Sequence, residues 1–269
     1  MALDGAFLSL VRKETEFLIG SRVDKVYQPS RDEIVIAMRA GGGIKKLLIS
    51  ASVTNARVHI TNVAIDNPKA PPMFCMLLRK HLGGGKLKAI RQDGLERILM
   101  FDFECINELG DMVIITLVAE IMGKYSNLIV LNQDGRIIDS IKRVDGEMSR
   151  ERMVLPGMKY CFPHRDERLS VCSFTREELK TALADKQQEL SKVLVKTFEG
   201  ISPVLAREWS FRTLGNTHTT SAELTEKNID ELFEVINDTR NRLLDGNGDY
   251  CIVRTPEKDL KEFSFIRLT

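Results

Sequence analysis

Apolar positions recur about every 3.6 residues at the start of the chain. Leu3, Phe7, Leu10, Val11, Phe17 and Leu18 share one face, which predicts a helix over residues 4–18, with Gly20 as its stop. The period then shifts toward two. Short alternating or apolar runs at Arg22–Gln28, Glu33–Met38, Lys46–Ser50 and Arg57–Ile60 read as antiparallel strands, punctuated by Pro29-Ser30-Arg31-Asp32 and Gly41-Gly42-Gly43. Pro71-Pro72 opens a second helix, Met73–Leu82, and Gly83-Gly84-Gly85 closes it. A second strand series follows at Lys86–Gln92, Arg97–Phe103, Met112–Val118, Asn127–Leu131 and Arg136–Ile141, with hairpin turns at Asn107–Asp111 and Asn132–Gly135. Two strand groups, each led by a helix, predict an α+β chain that begins as an antiparallel β-sandwich or barrel with flanking helices.

The texture changes near Ser173. From there to Arg240 the pattern is helical and rich in Glu, Leu and Lys, and Thr175-Arg176-Glu177-Glu178 fits a capping box. Charge changes with it: residues 1–172 hold 25 basic and 21 acidic side chains, residues 173–240 hold 9 and 12. The expected domains are therefore 1–172, 173–240 and a connector, 241–269, with a short strand at Tyr250–Arg254, a turn at Pro256 and an apolar end. No 18-residue apolar run suggests a membrane span, and the acidic start is unlike a signal peptide, so a cytoplasmic protein is expected. Five scattered cysteines without C-x-x-C spacing read as free thiols, and four dispersed histidines give no metal signature.

Against a net charge of +1, the run from Lys69 to Arg91 stands out. It carries Lys69, Arg79, Lys80, Lys86, Lys88 and Arg91 and no acid, which makes these residues candidate phosphate contacts; a solvated basic face is the alternative. Glu96-Arg97 sits where a strand begins. It reads as an RNA-reading pair or as a plain surface ion pair. In Glu120-Ile121-Met122-Gly123-Lys124-Tyr125-Ser126-Asn127, Gly123 permits a tight turn while Lys124, Ser126 and Asn127 offer donors, without the spacing of a phosphate-binding P-loop. Thr197 to Arg207 fits a helix-hairpin-helix: Gly200 can take positive φ, Ser202 suits the N-cap and Pro203 the first helical position. The amides at that helix start could bind a phosphate, or the segment is an ordinary turn between packed helices. Asp4 reads as a helix cap. With no nucleophile–base pair and no nucleotide fingerprint, the chain is expected to be a binding module rather than an enzyme, with no cofactor or metal.

Six stretches in order carry a resemblance. They are Ala2 to Leu8, Met73 to Gly85, Gln92 to Ile98, Glu120 to Asn127, Leu155 to Tyr160 and Phe198 to Glu208. Together they resemble the NFACT family, whose bacterial members were long labelled fibronectin-binding proteins. The resemblance implies an NFACT-N domain similar in fold to the N-terminal domain of MutM/Nei DNA glycosylases, then an all-α helix-hairpin-helix domain. It also implies a coiled coil beyond Thr269, so that the chain is an N-terminal fragment. The glycosylases' N-terminal proline and glutamate are replaced here by Ala2-Leu3. What the family implies is ribosome-associated quality control. Its members bind the large ribosomal subunit obstructed by peptidyl-tRNA, recruit alanyl-tRNA and support template-free alanine tailing. By the same resemblance Asp4, Glu96, Arg97 and Glu120-Ile121-Met122 are implicated in tRNA handling, with Glu96 standing where the family has Asp. The older label would add fibronectin as a partner.

Overall fold

The computed structural model describes residues 3–149, 151–184 and 187–269. Ala2, where the glycosylase nucleophile was expected to be missing, lies outside them. The chain divides into two compact units. Among the described residues, one comprises Leu3 and the residues within 11–93 and 97–165, the other those within 4–10, 94–96 and 166–269.

The first unit is built on one nine-stranded antiparallel sheet. Its strands are β1 (Arg22–Ser30), β2 (Glu33–Ala40), β3 (Gly43–Ser50), β4 (Arg57–Thr61), β5 (Lys86–Arg91), β6 (Ile98–Ile106), β7 (Met112–Glu120), β8 (Asn127–Leu131) and β9 (Ile137–Ser140), in the order β4-β3-β2-β1-β5-β6-β7-β8-β9. The two expected strand groups are both present, but they are not two separately bonded sheets. The glycines after helix α2 (Met73–Leu82) let the chain return alongside β1. There Val23 N donates to Gly85 O, Leu87 N to Ser21 O and Gly20 N to Leu87 O, which stitches the groups together through a narrow β1–β5 seam. Helix α2 packs on β1, with Arg79 Nε donating to Val26 O at 2.9 Å. The apolar face of β6–β9 buries Ile98, Met100, Val118, Ile129 and Leu131, and Val154 from the following loop covers it.

The second unit contains α3 (Arg176–Leu183), α4 (Leu190–Thr197), α5 (Pro203–Leu214) and α6 (Glu226–Asp245), with a separate hairpin of β10 (Cys251–Arg254) and β11 (Leu260–Ser264). The Thr175–Glu178 capping box forms as its sequence suggests. Phe174, Phe198 and Trp209 stack edge to face in the core, and the Trp209 indole donates to Thr239 Oγ1. Residues 241–269, expected as a connector, finish α6 and fold back as the hairpin: Phe263 and Phe265 meet Phe7 edge-on at 5.5 and 5.8 Å. The alternation around Tyr250–Arg254 signalled the strand; its partner at 260–264 is charged and exposed at its start, and so was weak in the sequence. Helix α1 (Gly5–Thr15) contributes residues 5–10 to this unit and 11–15 to the other. Among the described residues no helix is long and apolar enough to cross a membrane.

Candidate nucleic-acid interface

The acid-free stretch Lys69–Arg91 is not an unneutralised charge run once the sheet forms. Antiparallel pairing of β5 with β6 sets Arg91 near Asp102, where its Nε and Nη2 donate to the two carboxylate oxygens at 2.5 and 2.9 Å. The same strand gives Lys88 a partner in Glu104 at 3.2 Å, and the turn beyond β6 gives Lys80 a partner in Glu108 at 2.7 Å. Hydrogen bonding to Asp102 holds the Arg91 guanidinium above its ordinary value, against the penalty of partial burial. Arg79 is spent on the Val26 carbonyl. Lys69 and Lys86 are left without an ion-pair partner among the described residues. The compensating acids lie more than ten positions away and reach the run only through strand register, so a local charge count could not find them.

The other cationic candidates converge. Ile98 pairs with Glu120 at the end of the β6–β7 ladder, and Ile121 N donates to Arg97 O at 2.8 Å. Arg97 therefore lies beside the turn that joins β7 to β8, two segments expected separately from the sequence. Arg97 is exposed and its guanidinium has no ion-pair partner among the described residues. The turn is a single 3₁₀ element, Gly123–Tyr125, with Gly123 at φ +59°. Tyr125 N and Ser126 N bond back to Met122 O and Gly123 O, and Met122 N donates to Ser126 Oγ at 2.8 Å. Lys124 Nζ sits 4.7 Å from the centroid of the Tyr125 ring, and Tyr125 is 69% exposed. Ser126 and Asn127, expected to offer donors, are buried instead. Asn127 donates to Lys142 O and accepts from Leu128 N and Lys142 N, so both side chains hold the turn in place.

Glu120 is not a surface residue. At 1% exposure it takes a two-pronged ion pair from Arg152, at 2.5 and 3.1 Å, and a 2.9 Å hydrogen bond from the Tyr160 hydroxyl. Burial and the adjacent carboxylate push the Tyr160 phenol well above its ordinary value. Burial is the largest single influence on the Arg152 charge and works against it, yet Glu120, Tyr160 and Cys161 together hold the guanidinium above its ordinary value. Ile121 is fully buried, and Met122 is half-buried at the edge of the turn. Of Glu120, Ile121 and Met122, two are interior. Tyr125, three positions beyond Met122, is the exposed residue that the donor-based reading passed over; its ring type beside Lys124 was the available signal.

In the second unit, three of the resembling stretches meet backbone to backbone. A Cβ on Gly5 would fall 1.5 Å from Leu95 O and 3.0 Å from Gly200 Cα; one on Gly200, at φ +66°, would fall 2.2 Å from Leu95 O. Ala6 N donates to Gly200 O at 2.9 Å. Asp4 caps α1 through Phe7 N at 2.7 Å and accepts from Ser202 N at 3.1 Å. Ser202 Oγ in turn accepts from Leu205 N at 3.3 Å, with Pro203 at the first helical position. The Ser202 and Leu205 amides are thus bonded within the unit, which leaves fewer donors for a phosphate than the sequence suggested. Glu96 is half-buried and belongs to this unit, while Arg97 belongs to the first.

The family described as "NFACT N-terminal and middle domains" matches residues 4–269. The chain is 39% identical over 210 residues to the "Rqc2 homolog RqcH" of Bacillus subtilis (strain 168), a match covering 77% of this chain and 37% of that protein. The chain therefore spans well under half the length of this curated relative. Among solved structures, the fibrinogen binding protein from Staphylococcus aureus superposes with a TM-score of 0.83 at 28% identity, covering 100% of this chain and 91% of that one. The N-terminal part of the fibronectin/fibrinogen-binding protein from Streptococcus suis superposes with a TM-score of 0.74 at 33% identity, covering 88% and 85%.

Proposed function

The chain belongs to the NFACT family, and on that premise we propose that it is the RNA-contacting N-terminal part of a ribosome-associated quality control factor. In this reading it binds tRNA and the obstructed large ribosomal subunit and supports template-free alanine tailing of stalled chains in the cytoplasm, without catalysing bond chemistry itself. Support comes from the relative named as an Rqc2 homolog and from one observation: Arg97, exposed and without an ion-pair partner among the described residues, stands beside an exposed turn carrying Lys124. A planar guanidinium left without a carboxylate suits a phosphate or a base edge, because its five donors are not already spent. Glu96, one position earlier, is proposed to accept from base amines. Asp4, with its carboxylate committed to α1 and Ser202, acts through placement of the 198–203 segment. That segment is read as a helix-hairpin-helix turn, on the support of the positive φ of Gly200 and the Ser202 cap. The proposed phosphate contacts shrink to Lys69, Lys86 and Lys124, because Arg79, Lys80, Lys88 and Arg91 already have partners.

Arg97→Ala should weaken binding of deacylated or alanyl-tRNA by this chain at least about tenfold, roughly the worth of one well-formed guanidinium contact, and leave the melting temperature unchanged. Filter binding and a thermal scan read both. Unchanged tRNA affinity would remove Arg97 from the site. Sequencing the RNA that copurifies with the chain tests the partner itself: enrichment of a tRNA species supports it, and an unselected RNA population overturns it.

A further inference from the structure

We propose that Tyr125 is a stacking platform for an unpaired RNA base, with Lys124 taking the adjoining phosphate. The proposal rests on the RNA-binding reading above and names a residue and a contact type within it. An exposed aromatic ring by itself is ordinary. Tyr125 differs in its surroundings. Tyr250, the other strongly exposed tyrosine among the described residues, lies against Phe7 with ring centroids 5.8 Å apart; the ring of Tyr125 instead has an ammonium 4.7 Å from its centroid.

The support beneath it is rigid. The turn is closed by bonds from Tyr125 N, Ser126 N and Met122 N, and Ser126 and Asn127 are buried directly after it. Glu120, the last residue of β7, lies three positions before it and is locked by Arg152 and Tyr160. A ring held on such a turn gives up little backbone freedom when a ligand stacks on it. Chemistry points to a nucleotide. Residues 121–126 contain no acid, and the Glu120 carboxylate is turned inward and neutralised, so the exposed tip offers one cation and one π-face, with Arg97 beside it. An anion attached to a flat ring satisfies both groups, and stacking on tyrosine is how proteins hold splayed-out bases without reading a duplex.

The test uses this chain with an RNA hairpin carrying a seven-nucleotide loop, and the same hairpin with abasic loop positions. The wild type should prefer the base-containing loop, and Tyr125→Ala should reduce that preference roughly 5- to 150-fold while leaving the salt dependence of binding unchanged. Tyr125→Phe should retain the preference. Tyr125→Trp should retain it and add an emission quenched by the base-containing hairpin and not by the abasic one; the native Trp209 is fully buried in the other unit and gives a constant background. Equal preference in wild type and Tyr125→Ala, or quenching by both hairpins, overturns the stacking assignment. If tRNA still binds in that case, the RNA-binding reading survives; if the wild type binds neither hairpin nor tRNA, both fall.

Discussion

Gly5 shows how little room a single position can have. Its absent Cβ would overlap the Leu95 carbonyl at 1.5 Å, and that carbonyl is backbone with no rotamer to yield. Gly5→Ala should therefore destabilise the protein by about 3 kcal/mol or more, the upper end of overpacking, or prevent folding. Gly43→Ala, with nothing within 4 Å of the new methyl, should stay within roughly 0.5 kcal/mol. Urea titration of the two variants separates them, and equal stability would mean the Gly5 approach is looser than its geometry. The same scale explains what the sequence could reveal about the site. Glu120 and Arg97 were both visible as charges near strand ends. Nothing local distinguished the first, sealed beneath Arg152 and Tyr160, from the second, which faces water, because burial is decided by residues 32 and 40 positions further along.

Among the elements, α2 was legible to the residue, because Pro71-Pro72 and the glycine triplet bracket an apolar stripe. Most strands of the sheet were legible to within two or three residues for a similar reason: alternation and turn residues are local signals. The β1–β5 seam was not, since it depends on backbone groups of Gly20, Ser21, Gly85 and Leu87 rather than on a side-chain pattern. The charge state of α2 depends on its packing as well as its own sequence. His81 in its last turn has its pKa lowered, first by burial and then by Lys80, with Glu108 opposing. The unfolded chain thus takes up a proton more readily than the native one. The contribution is present in full above about 6.5, the ordinary histidine value, and is lost as pH falls below it and through the lower native value. Denaturant midpoints should decline from pH 7.5 to 5.5 more steeply for the native sequence than for His81→Gln; parallel slopes would show that His81 is not the group responsible.

For the molecule as a whole, electrostatics set a measurable bound. Eight cations were candidate contacts from the sequence: Lys69, Arg79, Lys80, Lys86, Lys88, Arg91, Arg97 and Lys124. If all held phosphates of a single strand, log affinity would fall against log salt with a slope of about −6. Four are committed to Val26, Glu108, Glu104 and Asp102, which leaves Lys69, Lys86, Arg97 and Lys124 and a slope of about −3. Titrating tRNA affinity from 50 to 300 mM salt measures it. A slope near −6 would mean that the intramolecular pairs open to let RNA in.

The helical unit has a consequence for the order in which the protein is made. Phe7 waits for Phe263 and Phe265, and Gly5 for Gly200, so these residues complete their packing only when segments much further along the chain are available. Until then Phe7, Leu10 and Leu95 lack the helices that bury them. A nascent chain halted near residue 172 would carry a finished sheet and an orphaned amino-terminal segment, an adhesive intermediate of the kind that binds chaperones. Phe7, Leu10 and Leu95 thus stay uncovered until the helices and the hairpin that follow residue 172 have been made.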